Sequence, residues 1–166
     1  MKKLRIAEFV TTLVAYPISE SYPNPFAPVT IAAQIAEGLT KKGHSVTYFG
    51  PRGAVSKKFK VHAMDFGPLW KNETIGYSKL KKREKEMMRR VFDQRAIAEI
   101  FAEHKKKPFD IVHVNRLNRI LPFSFIFPEV KIISTIHDPL NNLQERIFKE
   151  IHPKNQYCVS ISNSQR

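Results

Sequence analysis

The sequence has a single cysteine, Cys158, which excludes an intramolecular disulfide and any cysteine-rich zinc site. That usage fits a reducing compartment, and the apolar neighbours of Cys158 favour a packed thiol over a reactive one. No window approaches the roughly 20 apolar residues that a spanning helix needs, so the chain is expected to be soluble or at most peripheral to a membrane. Met1-Lys2-Lys3 imitates the start of a signal peptide, but Arg5 and Glu8 interrupt the apolar stretch such a leader requires. Internal repeats are absent, and so is low complexity beyond one Lys/Arg run. Acidic residues are also scarce, 15 against 28 Lys and Arg, for a net charge of +13.

Only a clustered excess of charge makes a focused field. The balance of Lys and Arg over Asp and Glu is +5 in residues 1–78, +6 in 79–107 and +2 in 108–166. The middle segment is therefore the basic one.

What is present alternates. Leu4 to Val10 is short and apolar at most positions, as a doubly covered parallel strand is, with Glu8 out of place unless it lies near the strand's end. Thr11 to Pro28 carries four prolines (Pro17, Pro23, Pro25, Pro28) and reads as a long loop. From Val29 to Lys42 the pattern is helical, with Ile31, Ile35 and Leu39 on one face, Pro28 in the first turn and Gly43 as the stop. Ser45 to Phe49 and the shorter Lys60 to Phe66 read as strands. A helix follows from about Ser78 to His104, then a strand at Ile111 to Val114 and a Phe-rich helix from near Leu121-Pro122. Strands at Ile132 to Ile136 and Cys158 to Ile161 flank a short helix at Leu143 to Glu150.

This alternation predicts one α/β domain over residues 1–166, a Rossmann-like, mostly parallel sheet of about six strands with helices on both faces. Ligands on such sheets sit beyond the carboxyl ends of the strands. Three strand exits carry polar groups: Thr11-Thr12, His113-Val114-Asn115-Arg116 and Thr135-Ile136-His137-Asp138-Pro139. Together with a helix N-terminus at Pro28 and Thr30, they suit an anionic, hydroxyl-rich ligand. The plainer reading makes Asp138-Pro139 a turn and His113 a satisfied core histidine.

The order and spacing of Ala36-Glu37-Gly38-Leu39, Lys42-Gly43-His44-Ser45-Val46-Thr47, Phe109-Asp110-Ile111-Val112-His113-Val114, Thr135-Ile136-His137-Asp138 and Val159-Ser160-Ile161-Ser162-Asn163-Ser164-Gln165-Arg166 resemble glycosyltransferase family 4. The resemblance implies the N-terminal, acceptor-holding half of a GT-B enzyme. Such an enzyme transfers a sugar with retention from a nucleotide-sugar donor to a glycan or lipid-linked acceptor, with no cofactor and no obligatory metal. It implies that His137 faces the donor sugar and that Asp138 either fixes its tautomer or caps the following turn. Asn115, Arg116, Thr30 and Pro28 become substrate-binding candidates. The chain departs from the family at Phe26-Ala27, where a Gly-Gly pair usually approaches the donor diphosphate; either free amides near Val29 and Thr30 bind it instead, or the contacts to it are weakened. It departs again at Asn115, where many members have a second histidine. The donor-binding domain that usually follows is absent from these 166 residues, so no turnover is expected of them alone, and a non-enzymatic module of the same fold is the alternative.

Ser78 to Arg90 holds Lys79, Lys81, Lys82, Arg83, Lys85, Arg89 and Arg90 against Glu84 and Glu86. Such a basic amphipathic helix suits an anionic membrane surface, which would place the protein in the cytoplasm, peripheral to the inner face of the membrane. It equally suits a solvated helix packing Leu80, Met87 and Val91 on the sheet. Nucleic acid is a further alternative partner, but no helix-turn-helix, RNP-like aromatic motif or zinc spacing accompanies the charge.

Overall fold

The computed structural model describes residues 2–24, 26–115, 117–137, 140–151 and 153–162. Six strands alternate with four helices: β1 (Arg5–Phe9), α1 (Ala27–Lys41), β2 (Ser45–Gly50), β3 (Lys60–Ala63), α2 (Lys82–Lys106), β4 (Ile111–Val114), α3 (Leu117–Ile126), β5 (Lys131–Ile136), α4 (Asn142–Ile151) and β6 (Gln156–Ser160). They form one sheet in the order β3-β2-β1-β4-β5-β6. Every neighbouring pair is parallel, as the alternation of strand and helix predicts.

Alternate side chains of a strand point to opposite faces, so the register sorts the core into two layers. On one face Ala7, Phe9, Phe49, Val112, Val114 and Ile132 pack with Ala96, Ile97, Ile100 and Phe101 of α2 and Ile120 of α3. On the other, Ile6, Val10, Val46 and Tyr48 pack with Val29, Ala32, Ala33 and Ala36 of α1. Each large aliphatic or aromatic side chain so buried contributes about 1.5–3 kcal/mol.

The face α1 buries differs from the expected one. Ile31 is 42% exposed, while Val29, Ala32, Ala33 and Ala36 are buried. Small side chains let the helix backbone lie close over the sheet, and that close approach, rather than the bulk of the isoleucines, selects the face. Gly43 ends the helix with φ 89°. This left-handed turn lets the His44 amide reach back to the Leu39 carbonyl at 3.1 Å, a Schellman closure.

Two other helices begin away from their expected starts. The segment before α2 is a 3-10 turn, Tyr77–Lys79, and α2 opens where Glu84 accepts the Lys81 amide at 2.6 Å. Helix α3 begins at Leu117 and holds Pro122 in its interior; burial of Leu117, Ile120 and Leu121 offsets the hydrogen bond that the proline cannot donate. On α2, Met87 and Val91 are 58% and 55% exposed. Leu80, just before α2, packs against the core as expected, while Met88 and Phe92 take the places expected for Met87 and Val91.

Candidate functional site

Strand order reverses between β1 and β4, because β2 and β3 lie to one side and β5 and β6 to the other. Loops leaving the carboxyl ends of the two central strands diverge there and leave a crevice. A cleft of about 280 Å³ occupies this position, lined by Val10 after β1, Phe26 and Pro28 at the head of α1, Asn115 after β4, and Thr135 and His137 at the end of β5. Leu117, Asn118, Ile136, Leu140 and Gln144 complete its wall.

Beneath the cleft runs a chain of hydrogen bonds. Glu8 and His113 are register partners on β1 and β4, and Glu8 Oε2 lies 2.6 Å from His113 Nδ1. The other ring nitrogen, His113 Nε2, is 2.8 Å from the Thr135 hydroxyl on β5. The Asn115 amide donates to Phe9 O at 3.3 Å and, more weakly, to Glu8 Oε1 at 3.4 Å. Its Oδ1 is 2.5 Å from His137 Nε2. With a two-residue side-chain period and this register, Glu8, His113, Asn115, Thr135 and His137 lie on one face of three adjacent strands. They step outward from core to rim.

Glu8 is completely buried. Burial pushes its carboxyl up, against the opposing pull of His113 and Asn115. Burial by itself would lower His113, but its hydrogen bond and charge contact with Glu8 outweigh this and hold the imidazole above its ordinary value. The two titrate as a pair, with one proton held between them. Glu8, one residue from the end of β1 as expected, is thus an inner residue of the site, and His113 is a satisfied histidine that also touches the cleft wall through Thr135.

The sequence-derived candidates divide. Pro28, Asn115 and His137 come together around the cleft. Thr30 is exposed one position beyond buried Val29 and is not part of the cleft lining. The Val29 amide is not free either, since it donates to Phe26 O at 3.2 Å, a correction to its expected availability. Arg116 and Asp138 lie outside the described residues. Of the basic candidates, Lys79, Lys81, Lys82, Arg83 and Arg90 are exposed, whereas Arg89 turns to Glu86.

Asn118 and Gln144 also line the cleft, and neither stands at a strand exit. A signal for Gln144 exists: Asn141 and Gln144 exchange backbone-to-side-chain bonds of 2.9 and 3.0 Å. This is the reciprocal cap that an Asn-x-x-Gln spacing before an apolar helix announces.

A second polar cluster ties α2 to α3 beside the site. Glu86 accepts from both Arg89 and Arg119, and Arg119 Nε stands 3.9 Å from Asp93. Burial would raise the Glu86 carboxyl, but the two arginines prevail and hold it at about 2.

A parallel doubly wound sheet with its cleft at the strand-order reversal defines a Rossmann-like α/β domain of the kind that builds GT-B glycosyltransferases. The model of glycosyltransferase family 4 matches residues 29–166, and the chain belongs to that family. No curated protein sequence matches it. Among solved structures, a glycosyltransferase from Rickettsia africae is similar with 18% identity and a TM-score of 0.54, over 98% of this chain and 38% of that one. A sucrose-phosphate synthase from Thermosynechococcus elongatus is similar with 13% identity and a TM-score of 0.54, over 96% of this chain and 48% of that one. At such identities these likenesses describe the fold, and the chain spans less than half the length of either structure.

Proposed function

We propose that the chain forms the acceptor-side half of a two-domain, retaining glycosyltransferase. Its substrates are a nucleotide sugar, gripped mainly by a second domain, and a glycan or lipid-linked acceptor. The carbon–oxygen bond from the anomeric carbon to the donor diphosphate breaks, a bond to an acceptor hydroxyl oxygen forms, and the hydroxyl proton leaves to the departing phosphate side. The observation that carries this reading is the placement of His137 in a cleft over the β1/β4 reversal, in a chain of this family. An imidazole at that place hydrogen-bonds a sugar hydroxyl, and Asn115 and Pro28 shape the wall beside it. Arg116 and Asp138 belong to the same proposed set through the strand exits they occupy in sequence.

The test is a titration of the full protein with nucleotide sugars and with lipid-linked sugars, followed by NMR at the His137 ring. Saturating ligand is expected to move those signals, and His137→Ala is expected to lower transfer. Unmoved signals at saturation argue for the alternative, a binding module that does not use this cleft.

A membrane role is favoured by a separate observation. Met87 and Val91 are exposed one turn apart on α2, next to exposed Arg83 and Arg90. No helix among the described residues is long and apolar enough to cross a membrane. The proposed mode is therefore peripheral, on the anionic cytoplasmic face, with each basic residue near the lipid contributing on the order of 1 kcal/mol. Cosedimentation with phosphatidylserine vesicles should fall in a Met87→Ser, Val91→Ser variant; equal binding by variant and parent removes this reading.

A further inference from the structure

The Glu8 carboxylate is costly. It sits wholly inside the fold, and a buried ion pair seldom adds net stability over an apolar pair of the same shape. Glu8 and its partner His113 lie in the same row as the cleft residues, and the hydrogen bonds lead outward from them.

The Asn115 amide decides what that row transmits. Its Nδ2 faces two oxygens that only accept, Phe9 O at 3.3 Å and Glu8 Oε1 at 3.4 Å. Turning the amide over would place Oδ1 against both of them, so the network fixes its orientation. Oδ1 is therefore the group presented to His137 Nε2 at 2.5 Å. A carbonyl oxygen accepts only, so Nε2 must carry a hydrogen. In a neutral imidazole this leaves Nδ1 as the accepting nitrogen.

The arrangement does not depend on the charge of Glu8. If Glu8 takes up a proton, the proton goes to Oε2, which faces His113 Nδ1 at 2.6 Å. Oε1 remains an acceptor for Asn115 in either state. His113, held on its far side by Thr135 at 2.8 Å, keeps the carboxylate from rotating.

We propose that Glu8 is a positioning residue for His137: together with the Phe9 carbonyl it orients the Asn115 amide, and through that amide it holds the His137 ring in the Nε2–H tautomer and in one orientation in the cleft. The proposal rests on the reading that His137 serves the sugar substrate, and it gives a place to the position where Asn115 stands instead of histidine.

The experiment uses the full protein labelled with nitrogen-15 at histidine, with His137 assigned by comparison with His137→Gln. Long-range nitrogen–proton correlation spectra report which ring nitrogen bears the proton. The parent should show a single species protonated at Nε2. Glu8→Leu, which leaves the Asn115 amide only the Phe9 carbonyl of these two acceptors, should give a mixture of tautomers at His137. Glu8→Gln should restore the single species, because a glutamine can accept from Asn115 with its oxygen while its amide faces His113. Asn115→Leu leaves Glu8 and its ion pair in place, removes the acceptor for Nε2–H and should also give a mixture of tautomers, which keeps the test decisive if Glu8→Leu does not fold. A parent ring protonated at Nδ1, or an unchanged Nε2–H ring in either leucine variant, overturns the proposal.

Transfer activity separates this proposal from the functional reading beneath it. If both hold, kcat falls on the order of tenfold to a hundredfold in Glu8→Leu and recovers in Glu8→Gln. A tautomer that shifts without any change in transfer supports the positioning and refutes the role of His137 in the reaction. Activity lost while the tautomer stays fixed refutes the positioning.

Discussion

Asp93, in the middle of α2, accepts two hydrogen bonds from Thr12 on one carboxylate oxygen, from the backbone amide at 2.9 Å and from the hydroxyl at 2.8 Å. Both residues are buried, although Thr12 opens a loop of more than a dozen residues that runs to Phe26 and Pro28 at the cleft. The bond fastens the root of that loop to the helix packed on the opposite face of the sheet from α1.

Asp93→Ala strands a buried amide and removes a negative charge near Arg119, so a loss of about 2–4 kcal/mol is expected. Thr12→Val removes the hydroxyl bond and leaves the amide bond, at about 1 kcal/mol. Urea unfolding of the two variants measures the ratio. Equal costs would mean that the backbone bond, which only the first variant removes, contributes nothing.

The Glu8–His113 pair predicts how stability changes with pH. Both groups have folded values above their unfolded ones, so the folded state binds more protons and stability declines as pH rises. The contribution of His113 is full below its unfolded value near 6.5 and is lost as pH rises through the higher folded value; Glu8 begins the same decline from near 4.3. The melting temperature should therefore fall from mildly acidic to alkaline pH, and replacing both groups together, Glu8→Gln with His113→Gln, should flatten that slope. A parent whose stability climbs across this range contradicts the assignment.

Glu86 acts in the opposite direction and in a different window. Burial works against its ionisation, but Arg89 and Arg119 hold its carboxyl at about 2. Its stabilisation is present above the unfolded value near 4.3 and disappears as pH falls towards 2. Because the Glu86 side chain is 40% exposed, solvent screening limits the effect to about 1 kcal/mol. Glu86→Gln should lose that amount at neutral pH and show a shallower acid limb in thermal melts; an unchanged acid limb would show that another carboxylate governs it.

Much of this architecture is legible in the sequence because β1, β2, β4 and β5 are short, largely apolar runs. The face of α1 is not, because hydrophobic content favours Ile31 while packing distance favours Ala32, Ala33 and Ala36. The cleft follows from the strand ends, and Pro28, Asn115 and His137 meet there. Glu8 was the residue that fitted its strand least, and its partner lies 105 positions away. No local pattern could supply that partner; only the β1–β4 register brings it alongside. The Asp93–Thr12 and Glu86–Arg119 contacts are hidden for the same reason, since each joins two distant segments of the chain.

Phe26 offers the sharpest test of the proposed diphosphate contact at the head of α1. Its ring lines the cleft and meets Tyr22 edge-on at 6.4 Å, at the place where the family resemblance puts a glycine. A phenyl group there would keep a diphosphate from the backbone at the head of α1, whereas glycine is well tolerated before a helix. Phe26→Gly should cost about 1–2 kcal/mol through the lost ring packing and should tighten binding of a nucleoside diphosphate to the full protein about tenfold, read by calorimetry. Phe26→Leu, which keeps the bulk, should leave affinity near that of the parent. If the glycine variant binds no better than the leucine variant, the ring is not the obstacle, and the diphosphate must approach the protein away from the head of α1.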